Sequence, residues 1–390
     1  MEENQRHPII YNVYGGNNIL APNATSASAH ITKYQSPMDL RPKPFAEIDL
    51  SDKFFDSLRA SYPGFDEWFR RKAAAGEIAI TYYEEDTLLD FLYLKEEREE
   101  MIDVEPPLPA KHRLKVGTFK IDKRGTRRGE RLMKKLLDIA IAKDVDEIYV
   151  TIFPEQRLQP LIRSFEKFGF VQCGVKRHAS GKEENVYVRD MRQRVGDTLK
   201  DYPFTDIRSE RFFQLSILPE YHTRLFPDSI LKSERKYDII QDNSETNSIY
   251  KVYICWMSDT RQLRPGDKLV IYRTSDGQGP AKYRSVCTSV CTVLEVKTIK
   301  DFADENDFVR YAHKQSVFTE YELRQWYRTK PHFILIQMVY NIAFTRKVIL
   351  KDLREQVGLN PNYWGFFRLT PDQFNHSLRL GAINERYLIR

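Results

Sequence analysis

Residues Ile121 to Leu137 read IDKRGTRRGERLMKKLL, and this stretch decides how the first half of the chain is organised. It follows Lys115 to Ile121 (KVGTFKI), whose alternating β-branched and aromatic residues read as a strand. Beyond it Leu132, Leu136, Leu137, Ile139 and Ile141 recur near helical spacing. The loop between carries Gly125, Gly129 and the arginines Arg124, Arg127 and Arg128. A strand–loop–helix junction aims unpaired backbone N–H groups at one point, and the helix dipole adds positive potential there. Arginines add charge-assisted donors. The chemistry suggested is binding of a pyrophosphate by Arg124, Gly125, Thr126, Arg127, Arg128, Gly129, Glu130 and Arg131. It is neither a Walker loop nor GxGxxG. Taken alone, the same residues also describe a solvated basic turn ahead of an ordinary helix.

The order of the following elements favours the first reading. A strand, Glu147 to Phe153, leads to a short helix, Leu158 to Phe168, ending in Phe168-Gly169-Phe170. Strands follow at Phe170 to Lys176 and Asn185 to Arg192. Over residues 45 to 192 the chain resembles the GNAT family of acyl-CoA-dependent N-acyltransferases. In that family Arg/Gln-x-x-Gly-x-Gly/Ala at the start of the long helix holds the coenzyme A pyrophosphate. Arg124-Gly125-Thr126-Arg127-Arg128-Gly129 occupies that place, with Arg127 where the first glycine is usual, and Gly169-Phe170 matches the family's Gly-Phe. The resemblance implies acetyl-CoA as co-substrate.

Ahead of this core, Lys53 to Ala60 and Gly64 to Ala75 read as helices. Glu77 to Tyr83 and Leu88 to Lys95 read as strands joined by a hairpin turn. An acidic insert, Glu96 to Glu105, is either a solvated loop or a place where Glu96, Glu97, Glu99 or Glu100 recognises a cationic amine. Amine attack on a thioester needs a neutral amine, a donor to the oxyanion and a proton for the leaving thiolate. Relatives give the last task to a tyrosine on the helix before Gly-Phe, where this chain has Phe165. Tyr149 and Ser164 are the alternatives, or the thiolate leaves unaided and is protonated by water, or the domain binds acyl-CoA without turning it over. The family's asparagine after the preceding strand has no match in Phe153-Pro154-Glu155-Gln156.

The chain has 390 residues, enough for two or three domains, with 41% hydrophobic and 30% charged residues. Its net charge of +6 is uneven: residues 111 to 135 hold eleven Lys or Arg against two acids. No signal-peptide pattern and no long apolar run occur, so a cytoplasmic protein without a membrane partner is expected. Cys173, Cys255, Cys287 and Cys291 are scattered and suit a reducing compartment, and no metal is expected. Residues 1–44, rich in Asn, Gly and small residues, read as an extended or disordered arm, with Ile9 to Tyr14 able to reach a second copy in a homodimer.

Residues 193–210 read as a linker to a second domain, 211–390. Strands are expected at Arg211 to Leu218, Tyr250 to Met257, Lys268 to Thr274, Tyr283 to Lys297 and His332 to Tyr340. Helices are expected at Ala303 to Ala312, Thr319 to Arg328, Leu350 to Val357 and Pro371 to Leu380. LRPGDKLVIYRT and GLNPNYWGFFRLTPDQF make this half resemble the PUA-like superfamily, in its ASCH and EVE branches. That resemblance implies a small β-barrel associated with RNA or modified nucleotides. Trp364 would stack a base while Arg273 and Arg368 pair phosphates; the competing reading is that such aromatics fill the core. The fold class expected is therefore α/β (α+β): a GNAT-like mixed sheet flanked by helices, then a PUA-like barrel with helices. Two functions follow. One is an acetyl-CoA-dependent N-acetyltransferase whose second domain presents an RNA- or nucleotide-linked amine. The other is a weakly active acyl-CoA-binding regulator carrying a nucleic-acid or protein-interaction module.

Overall fold

The computed structural model describes residues 40–84, 86–122, 128–178, 181–208, 210–229, 249–313, 316–330 and 332–390. In the first half, strands β1 (Arg41–Pro44), β2 (Ile78–Glu84), β3 (Thr87–Glu97), β4 (Val104–Glu105), β5 (Arg113–Ile121), β6 (Glu147–Ile152), β7 (Val171–Arg177) and β8 (Glu183–Asp190) form one sheet. Their order is β1-β2-β3-β5-β6-β8-β7-β4. Helices α1 (Asp56–Ser61) and α2 (Phe65–Ala74) precede β2, while α3 (Arg128–Lys143) and α4 (Gln159–Lys167) flank β6 in sequence. Pro42 and Pro44 sit in β1, an edge strand paired with β2. A residue without N–H is tolerated there. The Ile9–Tyr14 strand and residues 1–39 of the expected arm lie outside the described residues, whereas residues 40–44, read as part of that arm, are ordered with Leu40 buried and β1 paired to β2.

Helix α3 forms because Leu132, Met133, Leu136, Leu137, Ala140 and Ile141 share one face, and that face is buried on the sheet. Each buried Leu or Ile side chain contributes roughly 1.5–3 kcal/mol. The same core takes in Ile148, Val150 and Ile152 of β6 and Ile162 and Phe165 of α4. The other sheet face carries an aromatic cluster with α1 and α2, in which Phe55 meets Phe69 and Phe91 edge-on and Phe45 meets Phe91 likewise.

In the second half, β9 is Thr205–Asp206, β10 Phe212–Ile217, β11 Tyr250–Cys255, β12 Lys268–Arg273, β13 Val286–Thr298, β14 Ile334–Ile349, β15 Phe366–Leu369 and β16 Leu388–Ile389. Six of them make a mixed sheet in the order β11-β14-β13-β12-β10-β15. No ladder joins β11 to β15 among the described residues. Helices α5 (Pro219–Leu225), α6 (Ala281–Arg284), α7 (Glu305–His313), α8 (Glu320–Thr329), α9 (Leu350–Glu355) and α10 (Pro371–Leu380) cover it.

The stretch read as a linker is packed. Tyr202 is wholly buried against Phe168, and its hydroxyl donates to the Tyr340 carbonyl at 2.9 Å. Asp201 accepts from the Val195 and Gly196 amides at 2.9 and 2.8 Å. Gly169 has φ +83°, and a Cβ there would stand 2.5 Å from the Lys200 carbonyl oxygen, which explains glycine in the Gly-Phe pair. From the other half, Arg386 reaches the last carbonyls of α3, those of Ile141 and Ala142, at 3.4 and 3.5 Å. Tyr387 donates to Asp138 at 3.0 Å. Ile249, Tyr250 and Val339 join the apolar core of α3 and α4.

His222 of α5 is wholly buried, with Nε2 2.8 Å from Thr288 Oγ1. Burial, aided by the charges of Arg273 and Lys347, pushes its pKa from 6.5 down to about 3. The unfolded chain therefore binds the extra proton between those values, so the contribution is complete above about pH 6.5 and is lost as pH falls toward 3. The expected slope from this group is at most about 1.4 kcal/mol per pH unit. Urea unfolding between pH 7 and 4 should show a shallower pH dependence for His222→Gln than for the native chain; identical slopes would exclude a buried neutral histidine.

Candidate active site

The site arises where two strands stop pairing. β5 and β6 run parallel and pair from Arg113↔Glu147 through Val116↔Val150. β5 then continues to Ile121 and β6 to Ile152 without pairing to each other, while β5 remains bonded to β3 on its far side. The closed end is pinned by a buried ion pair: Arg113, 1% exposed, donates from Nε to Glu147 Oε2 at 2.9 Å. Past Val116, the edge of β5 facing β6 keeps backbone donors and acceptors free of a β6 partner. An extended amide-bearing chain can pair with such an edge.

At the mouth of this wedge lies the first turn of α3. Arg124, Gly125, Thr126 and Arg127 lie outside the described residues. Arg128 is 3% exposed, and its Nε and Nη1 have no hydrogen-bond partner among the described residues. Its Nη2 stands 3.7 Å from Glu84, and the guanidinium lies 5.0 Å from the Tyr82 ring. Arg131 is buried at the same distance from that ring. Buried donors at a helix N-terminus suit an anion. Gly129 directs a Cβ position toward Ile121 of β5, at 3.4 Å, so its smallness serves the packing of helix on strand. Glu130 is half-buried beside it.

Helix α1 bridges the open end. Lys120 of β5 donates to Ser57 Oγ at 2.5 Å, and Arg157, beyond β6, donates to Ser61 Oγ at 2.7 Å. Just after α1, the Tyr62 hydroxyl donates to Glu184 Oε1 at 2.9 Å. His178 Nε2 lies 3.0 Å from Glu184 Oε2. Because a carboxylate only accepts, Nε2 carries the proton, and a neutral ring then presents Nδ1 as a proton acceptor. Phe153, at the end of β6, lies between the rings of Tyr62 and His178, 5.2 and 5.9 Å from them. Glu184 is 5% exposed in its side chain and His178 34%. Burial, then the charge of Glu184, holds the Tyr62 hydroxyl well above its ordinary range, so it keeps its proton.

The residues singled out from sequence fall differently. Phe165 is wholly buried between Phe119 and Phe170, rings 5.3 and 4.8 Å away, and belongs to the core. Tyr149 is buried too, and its hydroxyl donates to Glu97; burial and that carboxylate raise its pKa. Ser164 is half-buried on α4. Glu96 bonds to His112 at 2.8 Å and to Lys143, beside the closed end of the wedge and away from its mouth. Glu97 bonds to Tyr149 and to Lys95 at 2.9 Å, and these bonds outweigh burial in setting its pKa below the usual range. Lys115, 3.9 Å from Glu97, is pulled down by burial, partly offset by that carboxylate.

In the second half Arg273 is 1% exposed and donates to the Thr274 and Arg284 carbonyls, both at 3.3 Å. Its Nη2 also stands 3.6 Å from Asp276, so its charge is met from within the protein. Trp364 is half-buried, with Tyr272 and Phe367 at 5.6 and 5.7 Å and the Arg354 guanidinium 5.5 Å from its ring. Arg368 is exposed and donates to the Glu210 carbonyl at 3.0 Å. Among the described residues no group of three His, Cys, Asp or Glu could hold a metal ion, and no helix is long and apolar enough to cross a membrane.

Sequence reasoning missed Tyr62, His178 and Glu184. They are 122 and 6 residues apart in pairs, and the His178–Glu184 proximity across a tight β7–β8 turn was the one signal available.

No protein-family model matches the chain, and no curated protein matches it. Among solved structures, an ASCH protein of Zymomonas mobilis is similar at 11% identity and a TM-score of 0.28, covering 45% of this chain and 98% of that one. The Ard1 protein of Thermoplasma volcanium is similar at 14% identity and 0.31, covering 40% and 98%. A GNAT family acetyltransferase of Elizabethkingia anophelis, solved with acetyl-CoA bound, is similar at 9% identity and 0.29, covering 40% and 99%. Likenesses this distant leave the chemistry to the chain's own residues.

Glu184 is nearly enclosed, so removing one of its two donors exposes the desolvation cost of a buried carboxylate. Tyr62→Phe is expected to lower stability by about 1–3 kcal/mol, measured by urea unfolding. A change within about 0.5 kcal/mol, the range of ordinary surface substitutions, would mean that water replaces the hydroxyl and that the cluster is open to solvent.

Proposed function

We propose that the protein is an acetyl-CoA-dependent N-acetyltransferase acting on an amine, with the β5–β6 wedge as its active site. The observation that carries this reading is the end of β5–β6 pairing at Val116↔Val150, between a cationic helix N-terminus and a His–Glu–Tyr cluster. The residues fit a coenzyme with a diphosphate: the α3 amides and the buried Arg128 donors suit its charge, and the open edge of β5 suits its chain of amides. The His178 imidazole, oriented by Glu184, takes the proton of the attacking amine. General-base assistance of this kind contributes roughly 10²–10⁴-fold. The Tyr62 hydroxyl, held protonated, donates to the other oxygen of Glu184 and fixes that carboxylate, and the leaving thiolate takes its proton from water. The donor to the oxyanion is an amide of the free β5 edge.

For the acceptor, the cluster supplies aromatic walls, Tyr62 and Phe153, around a carboxylate-backed base. We propose as acceptor an amine on a small molecule, a peptide or an RNA-linked nucleotide, delivered from the side of α1.

The test is release of free thiol from acetyl-CoA in the presence of a panel of amines: a peptide N-terminus, a lysine peptide, a polyamine and an aminoacylated or amine-bearing RNA. Acceptor-dependent release is expected for at least one. Glu184→Gln should lower kcat about 100-fold or more, with little change in coenzyme affinity. Arg128→Gln should weaken acetyl-CoA binding about tenfold or more, on the order of 1.4 kcal/mol, by calorimetry, with a melting curve to confirm folding. Failure of the native chain to bind acetyl-CoA would end this reading.

A further inference from the structure

Asp90 lies on β3 between Tyr82 of β2 and Ile121 of β5. It is 0% exposed, and neither carboxylate oxygen has a hydrogen-bond partner among the described residues. Burying an ionised carboxylate without donors is costly, so such a group is normally paired or neutral. The charges acting on it are Arg128 and Arg131, one turn apart on α3. Both guanidinium groups lie 5.0 Å from the ring of Tyr82, its cross-strand neighbour on β2. Glu84, at the end of β2, faces Arg128 from 3.7 Å, and the β5 neighbour, Ile121, is apolar.

Two cations at the start of α3 therefore act on this buried carboxylate. Nε and Nη1 of Arg128 have no hydrogen-bond partner among the described residues. An anion arriving at the helix N-terminus competes with Asp90 for the same positive charge.

We propose that Asp90 is a positioning residue that couples anion binding at the N-terminus of α3 to uptake of one proton: as a diphosphate engages Arg128 and Arg131, Asp90 becomes neutral. This rests on the reading of that turn as a diphosphate site. One proton passes from solvent to a carboxylate oxygen of Asp90, and no other bond changes. Burial already pushes the Asp90 carboxyl up to about 6, against the downward pull of Arg128 and Arg131. A ligand that neutralises those cations removes the pull and raises it further. Between the free and bound values, affinity falls as pH rises, by at most about tenfold per pH unit for one proton.

The probe is 3′-dephospho-coenzyme A, whose diphosphate diester has no group titrating between pH 6 and 8. Calorimetry at pH 7 in two buffers of different ionisation enthalpy reads proton uptake directly. The native chain should take up a large fraction of one proton and bind more weakly at pH 8 than at pH 6. Asp90→Asn, close in shape and uncharged, should bind more tightly than the native chain at pH 8, with no uptake and no pH dependence. Binding with a buffer-independent enthalpy, or equal uptake by the Asn variant, overturns the coupling alone. Absence of binding at every pH overturns the coupling together with the diphosphate reading. Should Asp90→Asn fail to fold, the buffer pair on the native chain decides by itself.

Discussion

The buried pair of Arg113 and Glu147 is the constraint from which the first half is built. The two residues face each other as the first partners of β5 and β6, with the guanidinium 1% exposed. Arg113 also donates to the carbonyls of Glu99 and Pro109, so the charge is both neutralised and hydrogen-bonded. Removing one member would strand the other in the interior, at a cost on the order of 3–5 kcal/mol. The pair thus sets the register of a short parallel ladder at one end. Among the described residues no ion pair joins β5 to β6 at the other end, where Phe119 of β5 packs on Phe165 of α4 and the strands separate.

That separation gathers groups whose chemistry would be weak in open water. The backbone edge of β5, the first turn of α3 and the Tyr62–Glu184–His178 chain converge on one opening because each ends at the same rim of the sheet. Their electrostatics differ across it. On the α3 side two buried arginines are set against Asp90 and Glu84, and Nε and Nη1 of Arg128 keep no hydrogen-bond partner among the described residues. On the α1 side an enclosed carboxylate orients an imidazole and keeps a tyrosine protonated. An anion is favoured at one side and a proton acceptor is prepared at the other, which is the division of labour that acyl transfer from a phosphate-bearing thioester to an amine requires.

The second half bears on this arrangement through α3. Its Arg386 meets the C-terminal carbonyls of the helix, Tyr387 meets Asp138, and Lys134 lies 5.5 Å from the ring of Tyr340. Tyr202 and Phe204 continue the same apolar core into Ile249, Tyr250 and Val339. Cations near a helix C-terminus also complement its dipole, by about 0.3–1 kcal/mol when exposed. The helix whose first turn faces the wedge is therefore held at its last turn by the other half of the chain.

Much of this was legible in the residues. The alternation of Lys115 to Ile121, the helical spacing of Leu132 to Ile141 and the helices read at Thr319 to Arg328 and Pro371 to Leu380 place β5, α3, α8 and α10 within a few residues of where they lie, because local periodicity is a property of neighbours in sequence. The extension of β14 from Tyr340 to Ile349, helix α5 and the short strand β15 were not legible; they hold their form through partners far along the chain. The same limit applied to the site. The arginines of α3 announced an anion by composition alone, whereas Tyr62, His178 and Glu184 became a cluster only when β8 returned beside β6 and α1 crossed above them. Arg273 looked like a phosphate ligand as a letter in a basic sequence, and only packing showed it enclosed. Sequence by itself determined which segments are helix or strand and where cationic charge accumulates, since both depend on short-range order. Tertiary structure decided which side chains are desolvated and which carboxylate meets which donor, since burial and pairing are set by strands joined across more than a hundred residues.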